Sequence, residues 1–379
     1  MADFESLRKE NPEFLYESFS LTGKEGEITL GFRFSLGDTV FTPTTRIKTD
    51  NLNIINAFDS PAARRIAFCL GMVEAVSGKD SAVTTELLSG FRNKNMFFTV
   101  NDQPARTQCV LAAGYDESRI IKTYRTIDPN LLELNRRGYL NGHTPFSAIV
   151  AFLSYYCAYL IGAENIALSN ESSANEANIG GTGVNHQYSK SYEFEKDFRD
   201  FSDGYFGLPI RYFSLLRPFN EAQIAKKFAA CPQYLKVFRS CNAGSKKNVW
   251  CCNCAKCLFV FIMLSPFVER GELIEAFGCD MLDKADLLAD FEGLCGFSGV
   301  KPFECVGTAR EVCAMLELTL RRFGGGEKPY LLAEYEKRRT PVTSCELRAL
   351  FGEYNEVNSV GSEFLPAVRE MYKYVSAID

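Results

Sequence analysis

Met96-Phe97-Phe98-Thr99-Val100, then residues 106–113, then Ile120-Ile121-Lys122-Thr123-Tyr124-Arg125-Thr126, then residues 128–137, decide the fold. The first and third pieces are short runs of aromatic and β-branched residues, which read as strands. The second and fourth read as helices. Strands alternating with helices predict an α/β core with a largely parallel sheet covered on both faces. Ligands of such sheets collect at the carboxyl ends of the strands. Working outward, the apolar run 148–168 reads as a buried helix followed by a short strand, residues 164–168. Upstream, the apolar residues 66–76 meet Ser77-Gly78-Lys79-Asp80-Ser81, after which residues 82–88 read as a helix. Ser60-Pro61 opens an earlier helix, with Ser60 as cap and Pro61 at the first position. Residues 14–21, 27–36 and 39–47 alternate in the strand manner, with turns at Gly23-Lys24-Glu25-Gly26 and Gly37-Asp38. They predict a small N-terminal antiparallel β-sheet. Beyond about residue 215 the pattern is mostly helical: 220–230, 257–270, 271–277, 285–293 and 309–323, with tail helices near 345–354 and 364–377. The expected domains are therefore the N-terminal sheet (1–59), an α/β core (60–215), a helical region (216–323) and a helical tail (324–379).

The totals exclude several classes of function. The 379 residues are 46% hydrophobic, ample for a core, and carry a net charge of −5. Lys and Arg form no long block, so nucleic-acid binding has no electrostatic support. The longest apolar run, residues 146–163, is broken by Ser147, Ser154, two tyrosines and Gly162. It reads as a core helix, and no membrane insertion is expected. Residues 1–10 are charged and unlike a signal peptide. A cytoplasmic location is expected, where the 14 cysteines stay reduced.

The only two histidines sit in polar segments. One segment is Asn141-Gly142-His143-Thr144-Pro145-Phe146-Ser147. The others are Ser169-Asn170-Glu171-Ser172-Ser173-Ala174-Asn175-Glu176 and Asn185-His186-Gln187-Tyr188-Ser189-Lys190-Ser191. So many amides, hydroxyls and carboxylates beside apolar sequence point to a polar ligand; the alternative is a loop system that merely ties the core together. In Ser77-Gly78-Lys79-Asp80-Ser81 a glycine would admit phosphate, a helix start would offer N–H groups and Lys79 would add charge. This loop resembles the SGGxDS loop of ATP pyrophosphatases, and it lacks the Walker spacing. Cys241, Cys251, Cys254 and Cys257 form C-x9-C-x2-C-x2-C, with Cys252 between. Such spacings let four thiolates converge on one zinc ion with no open position, a structural site; the alternative is a nest of free thiols. Trp250 and residues 259–264 are expected to cover it.

Together, residues 141–147, 168–176, 184–195, 238–245, 250–264 and 301–308 resemble the ATP-dependent UDP-N-acetylmuramoyl-L-alanyl-L-glutamate epimerases of bacterial cell-wall synthesis. The resemblance runs from about residue 77 to 320. It implies an ATP-pyrophosphatase-like (adenine nucleotide alpha hydrolase-like) core that inverts the terminal L-glutamate of the nucleotide-linked dipeptide. ATP and Mg2+ would be consumed to give AMP and diphosphate. Under it Ser77, Gly78, Lys79, Asp80 and Ser81 hold phosphate, with Asp80 a magnesium ligand. Asn170, Glu171, Asn175 and Glu176 coordinate metal or read the ribose and dipeptide. His143, His186, Lys190, Glu171 and Cys305 are acid–base candidates. Arg217, Arg239 and Lys247 meet the diphosphate. The loop departs from the family's GGGKDS, and Ala75-Val76 runs straight into it. Two other readings stand beside this one. The first is another carboxylate-activating ATP pyrophosphatase, similar to the cyano-deazaguanine synthases; the second is a variant that binds the muramoyl nucleotide without turning it over.

Overall fold

The structure, a computed structural model, describes residues 14–24, 26–48, 60–74, 77, 83–88, 96–101, 104–139, 143–175, 188–241, 243–244, 247–298, 302, 304, 306–324 and 326–378. In chain order the elements are β1 (Phe14–Lys24), β2 (Glu27–Leu36), β3 (Thr39–Phe41), β4 (Thr44–Lys48), α1 (Pro61–Glu74), β5 (Val83–Leu88), β6 (Met96–Val100) and α2 (Pro104–Ala112). They continue with β7 (Ile120–Thr126), α3 (Pro129–Arg136), α4 (His143–Ile161), β8 (Asn165–Leu168), α5 (Tyr192–Tyr205) and β9 (Arg211–Ser214). The remainder is helical: α6 (Glu221–Ala229), α7 (Ala255–Leu264), α8 (Arg270–Phe277), α9 (Leu288–Leu294), α10 (Ala309–Phe323), α11 (Tyr330–Arg338), α12 (Ser344–Phe351) and α13 (Leu365–Ser376). Two compact units emerge. One holds residues 1–102, 115–168 and 193–213; the other holds 103–114, 169–192 and 214–379.

The first unit is built on one sheet in the order β1-β2-β4-β7-β6-β5-β8-β9, with β3 beside β2. The antiparallel N-terminal strands form as expected. They are not a separate sheet, because β4 pairs with β7 of the core, Lys48 opposite Lys122. The sheet is mixed rather than largely parallel: β6 and β7 run parallel, while β5 is antiparallel to both β6 and β8. The cause is residues 82–88, expected as a helix. Val83, Thr84 and Thr85 are β-branched, stiff at χ1 and at home on a pleated surface, and they form β5. A strand that returns without a crossover helix pairs antiparallel; β6 and β7, joined through α2, can run parallel.

Helix α1 starts as its sequence dictates, with Ser60 Oγ accepting from Ala63 N at 3.1 Å and Pro61 at the first position. It packs against α4. From Ile149 to Ala158 every residue of α4 is buried, the signature of a helix apolar all round. Ile66, Leu70, Phe98, Ile121, Leu153 and Tyr156 share that core. Inside it Glu74 and Arg125 form a bidentate pair, Nη2 to Oε2 at 2.7 Å and Nε to Oε1 at 3.0 Å. Thr45 Oγ1 donates to the same carboxylate at 2.9 Å, and Arg125 Nη2 reaches Ser77 O at 3.1 Å. One ion pair thus joins α1, β4, β7 and the start of the serine-glycine loop.

The second unit is helical around α7, whose Cys257, Leu258, Phe261, Ile262 and Leu264 are all buried. Helices α6, α9 and α10 pack on it. Helices α5 and α11, absent from the sequence reading, are polar over most of their surface; α5 buries only Glu195, Phe198 and Ser202. Among the described residues no helix is long and apolar enough to cross a membrane.

Breaking the buried pair by Glu74→Gln should cost about 3–5 kcal/mol, because it strands the Arg125 charge. The double change Glu74→Leu with Arg125→Met should recover most of the loss. Urea midpoints measure both, and a single variant within about 1 kcal/mol of wild type would remove the pair from the account.

Candidate functional site

The polar segments after β8 and before α5 meet on one side chain, Arg217, which has 0% exposure. Its Nη1 donates to Glu171 O at 2.7 Å and its Nη2 to Lys190 O at 2.7 Å. Asn170 Nδ2 donates to Ser214 Oγ at 3.1 Å, and Ser172 N to Phe219 O at 2.9 Å. Charge-assisted bonds to carbonyls are strong and directional, so one guanidinium sets where Glu171 and Lys190 stand. Arg217, expected at a diphosphate, is therefore an internal clamp.

Two helix starts supply the facing groups. Asn220 caps α6 through a capping box with Gln223, and Thr308 caps α10 through one with Glu311. Glu311 accepts from Thr308 N at 2.7 Å and from Thr308 Oγ1 at 2.8 Å. Its other oxygen accepts from Glu221 N at 2.7 Å, so one buried carboxylate satisfies donors of both helices. Burial raises the Glu311 carboxyl above its ordinary range. Burial also pushes the Glu221 carboxyl up to about 8; the Glu171 and Glu311 charges add to the effect, while Lys256 and Lys190 oppose it. Two residues singled out from the sequence, Glu171 and Lys190, thus share an electrostatic neighbourhood with Glu221, Glu311 and Lys256, which were not. In sequence the latter read only as helix starts. A carboxyl poised near pH 8 beside ammonium groups can take up and return a proton at physiological pH.

The four cysteines come together. The sulfurs of Cys241, Cys251, Cys254 and Cys257 all lie within 4.8 Å of one another. Cys251 Sγ stands 3.4 Å from Cys254 Sγ and 3.7 Å from Cys257 Sγ. Tetrahedral thiolates around one zinc sit about 3.8 Å apart, so the group could hold a metal ion. Gly244 N and Cys251 N donate to Cys241 Sγ at 3.1 and 3.4 Å. A Cβ on Gly244 would meet Val249 O at 2.1 Å, so this turn admits only glycine. Cys252, at φ +52°, turns away and bonds Phe277 O at 3.2 Å, which removes it from the set. A hydrogen bond from Cys257 pulls the Cys254 thiol down to about 5, and burial pushes Cys251 up to about 11. Four sulfurs crowded this closely suit a cation that binds them as thiolates. Trp250 is buried and stacks on Phe277 at 4.3 Å.

Of the other expected site residues, Ser77 is fully buried in the first unit, with no partner for its hydroxyl among the described residues. Residues 83–88, expected as the helix after its loop, form β5, so among the described residues no helix start follows Ser77 there. His143 opens α4, and Asn175 closes a 3-10 turn, Ser172–Asn175. Gly78, Lys79, Asp80, Ser81, Glu176, His186 and Cys305 lie outside the described residues.

Comparison with known proteins matches two family descriptions in order: MurL N-terminal domain over residues 78–215 and MurL C-terminal domain over residues 237–343. The chain is 36% identical over 248 residues to a Xanthomonas oryzae protein named UDP-N-acetyl-alpha-D-muramoyl-L-alanyl-L-glutamate epimerase, covering 63% of this chain and 54% of that one. A Salinispora tropica protein of the same name is 37% identical over 262 residues, 68% and 57% of the two chains. A Micromonospora protein of that name is 37% identical over 247 residues, 64% and 55%. The chain spans about half the length of the curated relatives it matches. No solved structure matches it.

Cys254→Ser should reduce bound metal from about one ion per chain to a small fraction, and lower the unfolding midpoint with it. Elemental analysis of the purified variant decides; a full metal complement would refute the four-cysteine site.

Proposed function

The chain belongs to the MurL family, and on that premise we propose that it inverts the terminal L-glutamate of UDP-N-acetylmuramoyl-L-alanyl-L-glutamate to D-glutamate. It would do so in the cytoplasm, as a step of peptidoglycan precursor synthesis. The observation that carries the reading is the Glu221 carboxyl, held up to about 8 beside Glu171, Lys190 and Lys256. An epimerase needs such a group.

The chemistry explains why ATP would be spent. The α-proton beside an ionised carboxylate is hard to remove, because the resulting anion gains a second negative charge. Attack of that carboxylate on the α-phosphorus of ATP expels diphosphate and gives a mixed anhydride whose acyl group no longer carries the carboxylate charge. Glu221, once ionised, takes the α-proton; a lysine ammonium at the site returns one from the opposite face. Water then cleaves the anhydride to AMP and the D-epimer. In this scheme Ser77, Gly78, Lys79, Asp80 and Ser81 form an ATP-pyrophosphatase-like phosphate loop, with Asp80 on magnesium, which would neutralise phosphate charge. Asn170, Asn175 and Glu176 read the ribose and dipeptide, while His143, His186 and Cys305 remain alternative proton carriers. The four cysteines suit a structural zinc, since four thiolates leave no position for water.

One observation favours a second reading. Residues 83–88, expected as a helix after the loop, form β5 instead, whereas anion sites of this kind use the N–H donors of a helix start. A chain so altered would bind the muramoyl nucleotide without converting it.

Incubation with the nucleotide dipeptide, ATP and magnesium separates these. D-glutamate formed together with AMP supports epimerisation, and binding without either product supports the second reading. Asp80→Ala should abolish diphosphate release, and unchanged release would sink the phosphate-loop assignment. Glu221→Gln should lower kcat about 10²–10⁴-fold. Because the base acts ionised, the wild-type rate should rise with pH through about 8, as an apparent value shared with Glu171. Folding, by contrast, favours the protonated carboxyl. Its stabilisation is full below the ordinary carboxylate range and is lost as pH rises through about 8. Glu221→Gln should therefore flatten that decline in thermal scans.

A further inference from the structure

Four polar groups within one short segment of the second unit remain to be explained. Arg239 folds back so that its Nη1 donates to Lys236 O at 3.0 Å and Phe238 O at 2.6 Å. Its buried Nε has no partner among the described residues. The next residue, Ser240, has a buried hydroxyl with none either. Arg239 Cζ lies 6.0 Å from the centroid of the Trp250 ring. Trp250 is 6% exposed, and its indole N–H is also unsatisfied. Asn248, at φ +55°, donates its Nδ2 to Gln108 Oε1 of α2 at 3.3 Å and leaves its Oδ1 buried and unmet. Arg106, also on α2, and Arg239 both act on the Cys109 thiol, so two guanidiniums converge there. None of the groups acting on Arg239 is a carboxylate.

Each buried, unsatisfied polar group costs about 1–3 kcal/mol, and native folds leave few of them. Four within residues 239–250 is a concentration that calls for a ligand. Three of the four groups can donate: a guanidinium N–H, a hydroxyl and an indole N–H. They are of different kinds and come from different points of the segment, which suits an anion with several oxygens. We propose that Arg239, Ser240 and Trp250, with Arg106 beside them, form a binding site for a phosphate oxyanion. Asn248 Oδ1 would accept a hydroxyl of the sugar attached to it. The Nε edge of Arg239 makes charge-assisted bonds to phosphate oxygens. The four-cysteine group acquires a purpose here, because Cys241 inside the segment accepts from Gly244 N and from Cys251 N just beyond it, which holds its turn. That the phosphate belongs to the UDP-linked substrate or to ATP rests on the epimerase reading; the oxyanion site does not.

Trp250 is the only tryptophan in the chain, so its fluorescence reports on the site directly. The metal-loaded full chain is titrated with inorganic diphosphate, UDP and ATP, with calorimetry in parallel. The expected result is a saturable change, weakened by added salt and at least about tenfold weaker in Arg239→Gln, the scale of a lost charge-assisted contact. Arg239→Lys, which keeps the charge without the planar fork, should fall between, and Ser240→Ala should weaken binding about threefold. UDP binding more tightly than ATP assigns the site to the substrate diphosphate, and the reverse assigns it to ATP. No saturable signal or heat with any of the three, from a protein folded by circular dichroism, overturns the proposal. So does unchanged affinity in both Arg239→Gln and Ser240→Ala. Diphosphate binding without D-glutamate formation leaves this site standing and removes the epimerase reading alone.

Discussion

A guanidinium taken fully out of water must find acceptors for its N–H groups, and Arg217 finds them in main-chain carbonyls of segments remote in sequence. By bonding Glu171 O and Lys190 O it holds the polar stretch after β8 beside the one before α5. Its own backbone is tied down in turn, since Asn355 donates to Arg217 O and to Pro218 O. A lysine could not replace it, because one ammonium cannot span two carbonyls with a planar fork. The backbone positions of Glu171 and Lys190 depend on this single buried cation.

Around that clamp the helix starts do double duty. Glu311 completes the capping box of α10 and also takes the first free N–H of α6, which brings the two helix beginnings together. The cost of that arrangement is electrostatic. Glu171, Glu221 and Glu311 crowd one region, and Lys256 and Lys190 oppose their effect on Glu221. Proteins seldom keep such a collection for stability alone. Close packing enforces the crowding at Gly307 too, where a Cβ would sit 2.9 Å from Glu311 Oε2 and 3.1 Å from Phe259 Cζ.

In the first unit the Glu74–Arg125 pair has the corresponding part, joining the end of α1 to β7 and to Ser77 O. The neighbouring strands show where local reading fails. Residues 96–100 and 120–126 have a strand pattern strong enough to be read correctly. Residues 82–88 mix β-branched and helix-forming residues, and there the sheet decided, supplying β6 and β8 as partners for β5 on either side.

Sequence alone determined the boundaries of elements with strong local signals, such as the Ser60-Pro61 start of α1, the span of α10, the buried character of α4 and the spacing of Cys241, Cys251, Cys254 and Cys257. Those signals act within one helical turn or one short loop, so no distant partner is needed to interpret them. It also determined the family, through motifs that recur in order along the chain. The tertiary structure decided that the N-terminal strands and the core make one mixed sheet, that Arg217 is a clamp, and that Glu221 and Glu311 join Glu171 and Lys190. Each of these depends on groups separated by tens of residues meeting in a region short of water. Burial and charge there are properties of the assembled neighbours, and no local stretch of sequence carries them.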